Sequence, residues 1–218
     1  MITTPDLIDE LCADLTPARR LRPALLRAGL WLILAASIVA LLAAFRGTRT
    51  DIALLLGSPS FTAALAGSLL TGALAAVAAF QLSLPDRSRL WLLLPVPTLV
   101  LWLSTIGYGC LADWVSLGPD GVRLGSTLEC FATLLLVSLP AAAALALMLR
   151  PTAWLDPTPV AMSGGLAVGG IAASAMTLLH DLDATVMVLV WTLGATALIV
   201  ALGGLFGRRI FAPGLRRA

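Results

Sequence analysis

The sequence predicts an all-α membrane protein: a polytopic bundle of six transmembrane helices with both termini on the cytoplasmic side. Three observations carry that expectation. Hydrophobic residues make up 59% of the 218 and charged residues only 12%, against about 45–50% and about 25% in a soluble domain. Mean hydropathy is +0.98. The apolar residues also fall in runs of the length that crosses the hydrocarbon core of a bilayer, about 20 residues for about 30 Å. This composition excludes an ordinary soluble globule, a disordered chain and a coiled coil.

The spans are read in order at 25–45, 62–84, 90–110, 130–149, 159–179 and 184–206. The joints between them are marked by Gly57-Ser58-Pro59-Ser60, Leu84-Pro85-Asp86-Arg87, the long stretch 111–129, Arg150-Pro151 through Asp156-Pro157, and the short turn His180-Asp181-Leu182-Asp183. Residues 1–24 form a cytoplasmic segment, 25–206 the bundle and 207–218 a basic cytoplasmic tail. The first apolar run is too long for a cleaved signal peptide and is preceded by about 24 residues, so it reads as a retained span.

Orientation follows from arginine. The chain has no lysine and no asparagine, so all fourteen basic residues are Arg. Arg19, Arg20, Arg22, Arg27, Arg87, Arg89, Arg150, Arg208, Arg209, Arg216 and Arg217 fall on one side, and only Arg46, Arg49 and Arg123 on the other. The arginine-rich side is the cytoplasmic one by the positive-inside rule. The lipid bilayer is the surrounding partner.

The span interiors narrow function by what they lack. No Asp, Glu, Arg or His stands near the centre of any span, which argues against an ion-coupled transporter. Pro95, Pro97 and Pro140 are read as helix kinks satisfied by neighbouring helices. Gly67 and Gly72, and the G-x-x-x-G pairs Gly165/Gly169 and Gly203/Gly207, permit close helix approach. Internal packing is the expected use, with a homodimer face as the alternative.

Enzymatic chemistry is not expected. Without lysine no Schiff base forms. There is one histidine, no H-E-x-x-H and no G-x-S-x-G. No cofactor is required by anything in the chain.

The cytoplasmic segment carries a short helix signal. Thr4-Pro5 supplies an N-cap and a first-turn proline, and Asp6, Asp9 and Glu10 follow where the helix dipole favours acids. Leu7, Ile8, Leu11, Cys12 and Leu15 recur at helical spacing on one face, with Asp14 among them. A helix of this length is marginal alone in water, and an acidic one does not seek anionic lipid. A protein groove is the expected target, the alternative being a tail without a partner. Cys12, in the reducing cytosol, is read as a small hydrophobe on the stripe.

The outer side gathers the scarce chemistry. Cys110 ends the third span, Cys130 begins the fourth and His180 ends the fifth, with Asp113, Glu129, Asp181 and Asp183 at the same level. Thiolates with an imidazole suit a soft or borderline metal ion. Two cysteines in an oxidising compartment can also form a disulfide. Spacing does not choose between these, and a static disulfide or buried thiols remain the structural alternative.

Several strings carry a resemblance: Pro17-Ala18-Arg19-Arg20-Leu21-Arg22-Pro23 after Asp6-Leu7-Ile8; Leu84-Pro85; Gly107-Tyr108-Gly109-Cys110-Leu111-Ala112-Asp113-Trp114; Cys130-Phe131 with Ser138-Leu139-Pro140; and His180-Asp181-Leu182-Asp183 running to Trp191. Together, across essentially the whole chain, these resemble the NrsF-like family. Its members are six-span bacterial inner-membrane proteins regarded as negative regulators of extracytoplasmic-function sigma factors. The resemblance implies that residues 1–24 hold a sigma factor and that an outward-sensed metal or oxidative signal releases it through two outer cysteines. One matches Cys130; the other falls at or beside His180, which departs from the family pattern, and Thr192 stands where relatives carry His. Cys110 is a candidate to compensate. Leu7, Ile8, Leu11 and Leu15 would then dock on the sigma factor, while Asp6, Asp9, Glu10 and Asp14 oppose its basic face. No direct nucleic-acid contact is expected. The rival readings are a small metal or metabolite transporter and a membrane scaffold with an inert outer disulfide.

Overall fold

The computed structural model describes residues 21–105, 127–150, 152 and 157–179, with residues 4, 12, 13 and 194; side chains of the fourth long apolar segment are described from residue 132 onward. Among the described residues all regular structure is helical and no strand occurs. The sixth expected span, 184–206, and both chain ends lie outside the described residues apart from those single positions.

Helix α1 runs Ala24–Arg46, one residue longer at each end than the apolar run. Pro23 precedes it in an extended conformation, with φ −51° and ψ 141°. Gly47 ends it at φ 83°, its N–H reaching the Ala43 carbonyl at 2.9 Å. A side chain is disfavoured at that φ, so glycine is the residue that lets the chain turn there. A four-residue helix α2, Ile52–Leu55, follows; it was not predicted, because four residues carry no periodicity.

Helix α3 spans Pro59–Leu82 and starts three residues before the expected 62. Pro59 is its first residue, where a missing N–H costs nothing and the fixed φ suits a helix. Helix α4, Arg89–Thr105, opens as a 3-10 turn over Arg89–Leu93. Ser88 caps it, its Oγ accepting from the Leu90 N–H at 3.2 Å. Pro95 and Pro97 lack the N–H groups a helix interior needs, so the α-helical part begins only at Val96, with Pro97 in its first turn and the Leu99 N–H bonded to the Pro95 carbonyl at 2.9 Å. Helix α5, Thr127–Leu149, runs through Pro140, and α6 spans Pro157–Leu179. Among the described residues, four helices are long and apolar enough to cross a membrane: α1, α3, residues 132–149 of α5, and α6.

The core is a close pairing of α3 with α6, flanked by α1, α4 and α5. The point where these two helices cross is made of small residues. A Cβ placed on Gly170 would lie 2.7 Å from the Gly72 nitrogen and 2.8 Å from both the Gly72 Cα and the Ser68 carbonyl oxygen. The two backbones are in contact there. Ser68 and Ser174 share a buried hydroxyl hydrogen bond of 2.8 Å beside this crossing. Gly67 lets α4 approach, since a Cβ on it would meet the Trp102 backbone at 3.1 Å. Several large aliphatic side chains of the flanking helices α1 and α5 point outward: Ile33, Leu41, Leu139 and Leu147 are exposed. Lipid tails are as apolar as leucine, so burial of Leu gains little in a membrane and close backbone contact takes its place. Gly67, Gly72 and Gly170 thus serve internal packing, and Gly165 is buried; Gly203 and Gly207 lie outside the described residues.

Candidate functional site

The chemistry-bearing contacts sit at the two ends of the bundle and join α1 to its neighbours. At the end holding the first turn of α1, Arg27 is 6% exposed. Its guanidinium donates to the Met148 carbonyl and, at 3.4 Å, to Thr152 Oγ1. It also stacks over the Phe80 ring, 5.0 Å from the centroid, a cation–π geometry that gains strength where water is excluded. The Arg27 Nη1 and the neighbouring Gln81 Oε1 are buried without a hydrogen-bond partner among the described residues. Arg27 therefore ties α1 to α3 and to the end of α5.

At the opposite end the last residue of α1, Arg46, donates to Thr133 Oγ1 of α5. Past the Gly47 turn, the Arg49 N–H bonds the Leu178 carbonyl near the end of α6 at 3.3 Å. The Arg49 side chain is buried and grips Asp51, with 2.7 Å and 3.2 Å bonds to its two carboxylate oxygens. The Arg49 guanidinium holds the Asp51 carboxyl below the usual carboxylate range. Such a shift contributes stability above the unfolded-state pKa and loses it as pH falls through the lowered folded value. Asp51 faces solvent, where ion pairs contribute little. Asp51→Asn is thus expected to leave the melting midpoint in detergent unchanged at both neutral and mildly acidic pH. A clear drop at neutral pH only would show the pair to matter more than its exposure allows.

These anchors fall beside the residues that sequence reasoning singled out. Thr133 is three residues beyond Cys130, and Leu178 is two residues before His180. Glu129 and Cys130 are in the first turn of α5. Cys110, Asp113, His180, Asp181 and Asp183 lie outside the described residues, as do Asp6, Leu7, Ile8, Asp9, Glu10, Leu11, Asp14 and Leu15. In the N-terminal segment Thr4, Cys12 and Ala13 are helical, and the Cys12 thiol is free and exposed rather than packed. Sequence reasoning missed Arg27, Arg46, Arg49 and Thr133 as contact residues, treating the arginines as topology markers. The available signal was position: Arg27 falls inside the first apolar run rather than before it.

Residues 11–212 match the family described as negative regulator of sigma F, NrsF. The chain belongs to the NrsF family. No curated protein and no solved structure matches it significantly. The NrsF match starts within the amphipathic N-terminal segment and continues through every described helix of the bundle. Membership implies negative regulation of a sigma factor. This NrsF-family chain has helices long and apolar enough to cross a membrane, consistent with a membrane protein.

Proposed function

We propose that this chain is a membrane-bound anti-sigma factor. It holds an extracytoplasmic-function sigma factor through residues 1–24 at the cytoplasmic face of the bacterial inner membrane. It releases that factor when a metal or oxidative signal reaches the outer side, where Cys130, His180 and Cys110 are the receiving residues. Asp113, Glu129, Asp181 and Asp183 support them. The observation that carries the reading is the family match from residue 11 to 212, which joins half of the amphipathic segment to the whole bundle. The arginine asymmetry supports cytoplasmic termini, and the exposed Cys12 on the helical segment supports a stripe left open for a partner.

The test is retention of sigma factors from a native-host lysate by the intact membrane protein, compared with a Leu7→Asp/Leu11→Asp variant. Burying one leucine contributes about 1.5–3 kcal/mol, so losing two is expected to weaken retention by at least about a hundredfold. Equal retention by both proteins would remove the N-terminal stripe as the handle. No retention by the intact protein would overturn the anti-sigma reading.

A further inference from the structure

We propose that α1 is the rod that carries the outer signal to the N-terminal segment, and that the Arg46–Thr133 bond is its outer coupling. Three attachments run the length of α1, and in each the donor belongs to α1 and the acceptor to α5. Arg46 donates to Thr133 Oγ1, Trp31 Nε1 to the Ala141 carbonyl at 3.0 Å, and Arg27 to the Met148 carbonyl. The α3–α6 pair is held differently, by backbone contact at Gly72 and Gly170. Sliding that seam would drive Cβ atoms into backbone, so it acts as a fixed frame. A side-chain donor can exchange one acceptor for another, so α1 can shift against α5 while it stays packed on α3, where, among the described residues, its one charged contact is the Arg27–Phe80 stack.

The loop at the end of α1 is placed to be pulled. Arg46 holds α5 three residues from Cys130, and Arg49 holds the end of α6 two residues from His180. An event that changes the separation of those two helix ends therefore strains one short loop continuous with α1. At the far end, Arg27 lies four residues beyond Pro23, where the N-terminal segment joins the helix. Its Nη1 is buried without a partner among the described residues, and a buried donor left unpaired carries a desolvation cost that a second arrangement can relieve. The consequence for a sigma factor rests on the anti-sigma reading; the mechanical coupling does not.

Cys12 supplies a reporter that needs no partner and no identified signal. The full chain is kept in native membrane vesicles with the cytoplasmic face outward, and the rate at which N-ethylmaleimide labels Cys12 is read by peptide mass spectrometry. Arg46→Gln and Thr133→Val are each expected to change that rate about two- to thirty-fold, the span of long-range coupling energies. The double variant changes it no further than the larger single, because both act on the same Arg46–Thr133 bond. Thr133→Ser keeps the acceptor hydroxyl and restores the wild-type rate, which separates coupling from loss of folding. Ser174→Ala, in the fixed frame, labels as wild type. Wild-type labelling in Arg46→Gln and Thr133→Val, additive effects in the double variant, failure of Thr133→Ser to restore the rate, or an equal change in Ser174→Ala would each overturn the proposal. A Cys12 response in a protein that retains no sigma factor would leave the coupling standing and remove the anti-sigma reading alone.

Discussion

Gly170→Leu is expected to separate α3 from α6 and abolish the folded bundle. The neighbours of a Cβ at Gly170 are the nitrogen and Cα of Gly72 at 2.7 and 2.8 Å and the Ser68 carbonyl at 2.8 Å. All three are backbone atoms, so no rotamer change makes room. Even alanine is expected to cost about 1–3 kcal/mol, the usual range for overpacking. Leucine adds three further carbons and forces the helices apart, which also breaks the Ser68–Ser174 bond. Gly29→Ala is the matched comparison, because a Cβ there meets nothing within 4 Å. In a thermal melt of the purified protein in detergent, Gly29→Ala melts with the wild type. Gly170→Ala melts lower and Gly170→Leu shows no cooperative transition. A wild-type midpoint for Gly170→Leu would mean that the two helices do not touch there.

Trp31→Ala is the second large effect. Trp31 is 0% exposed and is among the largest fully buried side chains described. Its removal leaves a cavity between α1 and α5 and is expected to cost about 3–5 kcal/mol. Trp31→Phe divides that cost. It keeps most of the ring volume and loses only the Nε1–H that reaches the Ala141 carbonyl, worth about 0.5–1.5 kcal/mol. The expected order of melting midpoints is wild type, then Trp31→Phe, then Trp31→Ala well below. If Phe and Ala melt together, the hydrogen bond rather than the volume holds this contact.

The long helices were legible because each is an unbroken apolar run. Bilayer thickness sets one length for them all, and α1, α5 and α6 begin and end within three residues of the expected bounds. Pro59 is a readable helix start, although its Gly57-Ser58-Pro59-Ser60 setting reads as a loop. The 3-10 opening of α4 is a local result of Pro95 and Pro97, which had been read only as kinks. What the sequence does not disclose is partnership. Gly72 and Gly170 belong to no common motif; they pair because α3 and α6 cross at that height. Trp31 and Ala141 are 110 residues apart, and no periodicity links them. Arg46 reads as a flanking charge until the crossing of α1 and α5 brings Thr133 beneath it. The outer cluster was assembled from topology alone. Of its members only Glu129 and Cys130 fall in a described helix, beside the Arg46 anchor.

The outward leucines and the glycine–serine seam between α3 and α6 have a thermal consequence. In a water-soluble domain, melting wets the apolar interior, and the resulting heat-capacity increase bends the stability curve into a dome that peaks at about 10–20 °C. Here Ile33, Leu41, Leu139 and Leu147 are exposed on the outer faces of the helices and meet hydrocarbon both before and after the helices part. Separation of α3 from α6 wets almost nothing, so the curvature is slight. Chilling is therefore expected to bring this seam no closer to a second melting point.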